Sequence, residues 1–591
     1  MSRFNALVNT TIARLADGPF LKRQELNRRY LRSLEPDRLL HNFRTNAGLA
    51  SCAEPYGGWE APDHGLRGHF VGHFLAACAF ADRAQNDEQL QGSVRYMVRE
   101  LATCQNALGG GYLSAFPETD LDEIETRFEG AWASYYVLHK ILTGLIAVHR
   151  QYEDLEALSM AVRLVAYVKG RFDRLSETQL EGMLRTQGPN PTNETGGWSE
   201  ALQNLYDHTG DPDHLRFAEL FDRDWFFDPL SRRVDELTGL HCNTHIPMVL
   251  GAARRFERSG DVRYRDASVF FWEQTALARS YVNGGSSGPR PDGSEKSKGG
   301  EHWPIAHKLA DTLTPKINES CVTHDMLRLT DTLFRWSAEP RYAEFYERAL
   351  FSSVLCMQKP DELGCYLYDH PLGEHSRKVY GSAEESFWCC YGSSVEAFAR
   401  LSEGLYYTDS ESLWINQFIS SECSWPEKGV RVSQETKFPN KDSTRLVFHC
   451  DLPVALTVRI RIPTWVAAPV QVSLNEKILN MRADPGTFAV IDRTWQEGDA
   501  LDLHFPMTMR LEPMPDDRRV VAFLYGPLVL AALTDENLSL GVDEANALCT
   551  AKAAPPFQVR LKNGTKVNLS PLNEVTKEPF GVYFRLQDGL L

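Results

Sequence analysis

One unit recurs along the first two thirds of the chain. "LYDHTGDPDHLRFAELF" from Leu205, "RFERSGDVRYRDASVFF" from Arg255 and "LFRWSAEPRYAEFYERALF" from Leu333 each run from an aromatic-anchored helix through a small residue and an acid into a second helix. The small residue can end one helix, and the Asp or Glu after it stands where it can cap the next. Between these units, "SYYVLHKILTGLIAVHRQY" and "ALSMAVRLVAYVKGRF" carry apolar residues at three- and four-residue spacing. A helical hairpin repeated over several hundred residues must stack on its neighbours to bury its apolar faces. The result is an open solenoid or a closed (α/α)6 barrel. Polar residues on candidate inner helices, His139, Glu200 and His241, favour the closed form with a polar funnel.

After Tyr407 the period changes. "RLVFHCDLPVALTVRIRIPTWV" alternates apolar and polar residues with β-branched enrichment, and "GTFAVIDRTWQEGDALDLHF" reads as strand, turn, strand. "RRVVAFLYGPLVLAAL" and "PFQVRLKNGTKVNLS" continue the strand pattern. The expected organisation is a catalytic barrel over 1–408, an antiparallel β-sandwich over 409–508 and a second sandwich over 509–591.

Charge and cysteine usage narrow the function. The 79 acidic against 63 basic residues give a net charge of -16, which repels phosphate backbones and anionic membrane surfaces. Nucleic acid and membrane are therefore not expected partners. The start has no apolar run of signal-peptide length, and no later stretch is long and uncharged enough to span a bilayer. A cytoplasmic location is expected, with the twelve scattered cysteines free rather than paired. A homodimer stays open.

Four candidate ligand groups lie in two short motifs: Glu319 and Cys321 in "NESCVTHD", Cys389 and Cys390 in "SFWCCYGS". Zinc takes four ligands in tetrahedral array, and three thiolates with one carboxylate would satisfy it. An extended Glu-x-Cys pair could give two ligands and a loop bearing adjacent cysteines the other two. Spacing alone allows the opposite reading equally well, with Cys321 opening an amphipathic helix and Cys389 and Cys390 packed in a loop. The Gly/Ser-rich segment "VNGGSSGPRPDGSEKSKGGEHW" ends in Glu301, beside His302 and Trp303. It lacks the phosphate-loop arrangement. A carboxyl group beside an aromatic ring at a pocket rim is expected to have a raised pKa suited to general-acid work; a solvated loop glutamate is the alternative. His69 and His73 share one face if "LRGHFVGHF" is helical. With Trp59 and Glu60 of "GGWE" they are read as pocket lining, or as structural residues. Trp303 and Trp388 could stack on a sugar or simply pack.

Taken in order, "GGWEAPDHGLRGHFVGHFLAACA", "YYVLHKILTGL", "HCNTHIP", "NESC", "YERALFSSVL", "FWCCYGS", "LTVRIRIPTW" and "YGPLVLA" resemble the bacterial β-L-arabinofuranosidases of glycoside hydrolase families 127 and 146 over nearly the whole length. The resemblance implies an (α/α)6 barrel followed by β-sandwiches and a Zn2+ site of Glu319, Cys321, Cys389 and Cys390. It also implies Cys389 as nucleophile, Glu301 as acid/base, and His139, His241 and Tyr368 holding the sugar. The expected activity is that of a retaining exo-glycosidase on a terminal β-L-arabinofuranoside or related furanoside in a short oligosaccharide or glycoside. Two rivals remain. One is an inverting or uronide-acting barrel with a structural zinc and water activated by Glu60 or Glu200; the other is a non-catalytic carbohydrate-binding protein.

Overall fold

The structure, a computed structural model, describes residues 7–9, 13–128, 130, 132–185, 194–293, 299–550, 555–587 and 589. Residues 294–298 of the Gly/Ser-rich segment therefore lie outside the described residues.

The recurring unit turns as its sequence dictates. Gly210 ends a helix in the left-handed conformation (φ 66°), and Asp211 then caps the next by accepting from the Asp213 amide. Gly260 (φ 75°) and Asp261 repeat the device. Ala338 takes the same conformation (φ 53°), but Glu339 makes no side-chain cap. Pro340, at the first helical position, starts that helix with its fixed φ instead.

Six helices form the inner ring: α1 (His69–Ala84), α2 (Ser134–Tyr152), α3 (Trp198–Thr209), α4 (Cys242–Ser259), α5 (Ser320–Ser337) and α6 (Cys389–Ala399). Each packs on the next and α6 packs back on α1, which closes the barrel. Six outer helices, Pro19–Ser33, Glu88–Leu108, Leu155–Phe172, Pro212–Glu219, Val262–Trp272 and Pro340–Ala349, each back one inner helix. The α1 and α2 backbones touch. A Cβ on Gly72 would lie 2.0 Å from the Lys140 carbonyl and one on Gly144 2.5 Å from the Gly72 carbonyl, so both positions require glycine.

The barrel is followed by two sheets. One orders Val8–Asn9, Tyr406–Thr408, Ser412–Ile415, Val454–Ile462 and Thr487–Trp495; the other orders Lys477–Ile478, Gln471–Leu474, Ala500–His504, Ser443–Cys450, Val430–Thr436, Ser421–Trp425 and Ala13–Leu15. Period-two burial sets the register: Leu456, Val458 and Ile460 are buried, and Val458 faces Ile491 across the ladder. Residues 8–9 and 13–15, which fall in the range expected for the barrel, pair as edge strands of these sheets. The sheets are antiparallel as expected, with one parallel pair, Ser412–Ile415 beside Val454–Ile462.

The C-terminal unit is one connected eight-stranded sheet, with six strands along its main path and two pairing off it. Val520–Tyr525 pairs with Tyr583–Gln587 through its first half and with Leu528–Leu533 at its end, so the pairing turns a corner. This unit braces the barrel below the Glu301 segment. Asp516 accepts from the Leu309 and Ala310 amides at 3.1 Å, and Tyr583 Oη accepts from the Val282 amide at 2.9 Å. Among the described residues no helix is long and apolar enough to cross a membrane.

Candidate active site

The N-terminal ends of the inner helices converge on one mouth of the barrel, and the predicted site residues come with them. Glu319 is the N-cap of α5 and Cys321 its second residue; Cys389 and Cys390 are the first two residues of α6; His241 is the N-cap of α4. This corrects the picture of an extended Glu-x-Cys and a cysteine loop. Both motifs are helix starts, where unpaired amides and the helix dipole favour anionic side chains. The residue before each helix N-cap is bent to reach this geometry: Asn318, before Glu319, has φ 59° and Phe387, before Trp388, φ 49°. For a bulky Phe that conformation costs on the order of 1 kcal/mol. It turns the chain so that both thiols of the pair enter the site.

The four groups meet. Cys321 Sγ lies 3.4 Å from Cys390 Sγ, Cys389 Sγ lies 3.9 Å from Cys390 Sγ, and Glu319 Oε1 stands 3.4 Å from Cys389 Sγ and 3.6 Å from Cys390 Sγ. All four ligand atoms are within 4.8 Å of one another and all four residues are buried. Ligands at about 2.3 Å from a tetrahedral ion stand about 3.7 Å apart, which matches these spacings. Glu319 Oε2 is buried without a partner among the described residues. Burial, then Cys321, pushes the Glu319 carboxyl well above its ordinary value, and a hydrogen bond with Cys321, then burial, does the same to the Cys389 thiol. Acidic groups crowded in a dry pocket are stabilised as anions by a shared cation. The group can therefore hold a metal ion.

The facing wall carries Glu301. Its backbone is zipped to the start of α4: the Cys242 amide donates to the Glu301 carbonyl (2.8 Å) and the Trp303 amide to the Leu240 carbonyl (3.1 Å). The side chain then meets His241 Nε2 at 3.3 Å and accepts from Tyr368 Oη at 2.5 Å. Tyr368 is tied to α5 through the Ser320 amide, which donates to its carbonyl at 2.9 Å. Burial alone would raise the Glu301 pKa, but His241 and Tyr368 outweigh it and hold the carboxyl at about 2. The expectation of a raised pKa is thus wrong for the resting site. The aromatic neighbour assumed to raise it, Trp303, is packed in the core against Phe271 and His245. His241 is shifted upward: burial lowers it, and its hydrogen bond to Glu301 and the charge of Glu194 more than compensate. Of the two, His241 is the one that holds the proton.

The remaining candidates divide. His69 and His73 are buried on α1, with His73 Nδ1 2.6 Å from Glu396 and His69 Nδ1 2.8 Å from the Leu66 carbonyl. His69 Nε2 is buried with no partner among the described residues. His139 lies against Gly197 and Trp198. Trp59 stands edge-on to Tyr368 at 6.2 Å, and Trp388 does so at 5.6 Å. Glu60 is corrected: its carboxylate is not presented to the pocket but accepts from the Gly68 (2.6 Å) and Phe70 (2.8 Å) amides at the start of α1. Glu200 is engaged by Arg328 at 2.6 Å. Neither carboxylate offered for water activation is free for it.

Three residues near the site were missed. Glu194 is buried beside His241, Glu301 and Cys321. Asp369 is raised to about 7 by burial and the Glu301 charge. Tyr136 is raised by burial and the neighbouring Cys389 and Cys321. Only Tyr136 had a sequence signal, since it stands one turn before His139 on an inner helix.

Fold and site together define an (α/α)6-barrel protein with a metal-competent carboxylate–thiol centre at one mouth. The sequence matches the beta-L-arabinofuranosidase GH127 catalytic domain over residues 13–403 and the GH127 middle domain over 412–507. The chain belongs to this glycoside hydrolase family and is a glycoside hydrolase. Among solved structures it is similar to Ara127N-Se, a GH127 beta-L-arabinofuranosidase from Geobacillus stearothermophilus T6, with 18% identity over 97% of this chain and 100% of that one and a TM-score of 0.75. It is also similar to the GH127 beta-arabinofuranosidase BT3674, with 17% identity over 99% and 98% and a TM-score of 0.74. None of the curated proteins matches the sequence.

Proposed function

We propose that the protein is a retaining exo-glycosidase that removes terminal β-L-arabinofuranosyl residues, or a closely related furanose, from short glycosides. The nucleophile is Cys389 and the acid/base Glu301, with Zn2+ held by Glu319, Cys321, Cys389 and Cys390. The observation that carries this reading is the shared contact with Tyr368. Its hydroxyl lies 3.9 Å from Cys389 Sγ and 2.5 Å from Glu301 Oε1, so sulfur and carboxylate are at most 6.4 Å apart. Retaining pairs stand at about 5–5.5 Å and inverting pairs at about 6.5–9.5 Å, which leave room for a water.

Zinc, when bound, would keep the thiols ionised and fix their direction. The chain's own groups do the rest. Cys389 Sγ attacks the anomeric carbon as the glycosidic bond breaks, forming a carbon–sulfur bond. The proton carried on His241 passes through Glu301 to the departing oxygen. Glu301, again a carboxylate, then takes a proton from the water that cleaves the carbon–sulfur bond and releases the sugar with its configuration retained. Tyr368 positions both walls, and the unpartnered His69 Nε2 is a handle for a sugar hydroxyl. The test is product configuration by proton NMR during hydrolysis of a 4-nitrophenyl β-L-arabinofuranoside. Retention supports Cys389 as nucleophile; inversion removes it from that role.

A further inference from the structure

Beyond Tyr368 lies a cluster of rings that the chemistry does not use. Trp59 stacks on His64 (5.3 Å between centroids, 15° between planes), and Trp132 stands edge-on to both, at 5.1 and 5.8 Å. Trp132 is 38% exposed, unlike the buried thiols. The cluster is anchored to the nucleophile's own segment, because the Trp59 amide donates to the Ser386 carbonyl at 2.9 Å. A Cβ on Gly58 would lie 2.2 Å from that same carbonyl, so the two segments touch backbone to backbone. His64 is oriented by the Leu66 amide, which donates to its Nδ1 at 3.2 Å.

We propose that Trp132, with the Trp59–His64 stack, is the platform for the leaving group, binding the apolar face of a sugar ring joined to the cleaved furanose. This rests on the exo-acting reading above. The terminal sugar must fill the buried end between Cys389 and Glu301, so everything attached to its anomeric oxygen projects toward solvent past Tyr368. The rings met there are these. An indole presents a flat, polarisable face to the C–H bonds of a sugar, and its edge-on neighbours hold it at that angle. The platform recognises a ring and not a charge.

The experiment compares kcat/KM for a β-L-arabinofuranosyl disaccharide with that for methyl β-L-arabinofuranoside, in wild type and Trp132→Ala. The disaccharide-to-methyl ratio is expected to fall about fivefold or more, with Trp132→Phe recovering part of the loss. A ratio unchanged within about twofold overturns the proposal. So does an equal fall on both substrates, which would make Trp132 a support of the whole mouth. If the wild type cleaves neither substrate, the sugar assignment has failed and not the platform; the same ratio is then read for the disaccharide and methyl glycoside of whichever sugar it does cleave, with the same loss expected. Cleavage of no glycoside at all removes platform and site reading together.

Discussion

The two walls of the site solve one problem, keeping acidic groups buried near the barrel axis, in different ways. On the Glu301 wall the carboxylate has protein partners: His241 and Tyr368 hold it at about 2 against burial. On the thiol wall the groups have mainly one another, and burial and mutual contact push Glu319 and Cys389 well above their ordinary values. A protein-satisfied wall is preorganised before any ligand arrives, whereas a wall of crowded acids awaits a cation. The first suits proton transfer and the second suits a metal-held nucleophile.

The sharpest way to break this contrast is to remove one member from each wall and read metal content beside turnover. Cys389→Ala should lower turnover by roughly four orders of magnitude. Cys321→Ser should lose the metal together with activity, read by elemental analysis of the purified variant. Glu301→Gln should lower turnover by about 10²–10⁴-fold yet bind wild-type amounts of metal. A glycoside with a good leaving group, which needs less protonation, should be the less affected substrate. Metal loss in Glu301→Gln would mean that the two walls are one unit. Tyr368→Phe tests the bridge between them, and a fall of about tenfold in kcat is expected from losing one hydrogen bond to a charged group.

The walls also differ in how far they could be read from the sequence. The thiol wall was legible as a set of residues only through the family resemblance, since spacing alone left the cysteines open to a packing role, and it was not legible as a geometry. Nothing in "NESC" or "FWCCYG" announces left-handed Asn318 and Phe387 or two helix starts. On the Glu301 wall the resemblance named Glu301, His241 and Tyr368, but not that the last two contact the carboxylate. Its pKa depends on partners 60 and 67 positions away, His241 and Tyr368, and sequence neighbours mislead: Trp303 is adjacent to the motif yet packs into the core. Glu60 misled for the same reason, since beside Trp59 it reads as pocket lining until the amides of Gly68 and Phe70 are seen to occupy it. The barrel was easier, because the hairpin signal is local. The strands at 8–9 and 13–15 were not, because their partners lie some 400 residues away.

The smallest effect separates the walls by pH. Between the lowered pKa of Glu301 and the raised pKa of His241, the pair holds one proton, carried on His241. In the proposed mechanism the acid step needs that proton, so kcat/KM should fall as pH rises through the His241 value, above 6.5, with the slope of a single proton. Metal content should stay constant across this limb. The acid limb belongs to the other wall, because protonating the thiols releases the cation, and activity and metal should be lost together as pH falls. In His241→Gln the main influence holding Glu301 down is gone and burial raises it. The alkaline limb then becomes the titration of Glu301 alone and moves toward acid, while the acid limb stays where it was. An alkaline limb that does not move in this variant would show that the proton is held elsewhere, with buried Glu194 beside the pair as the next residue to replace.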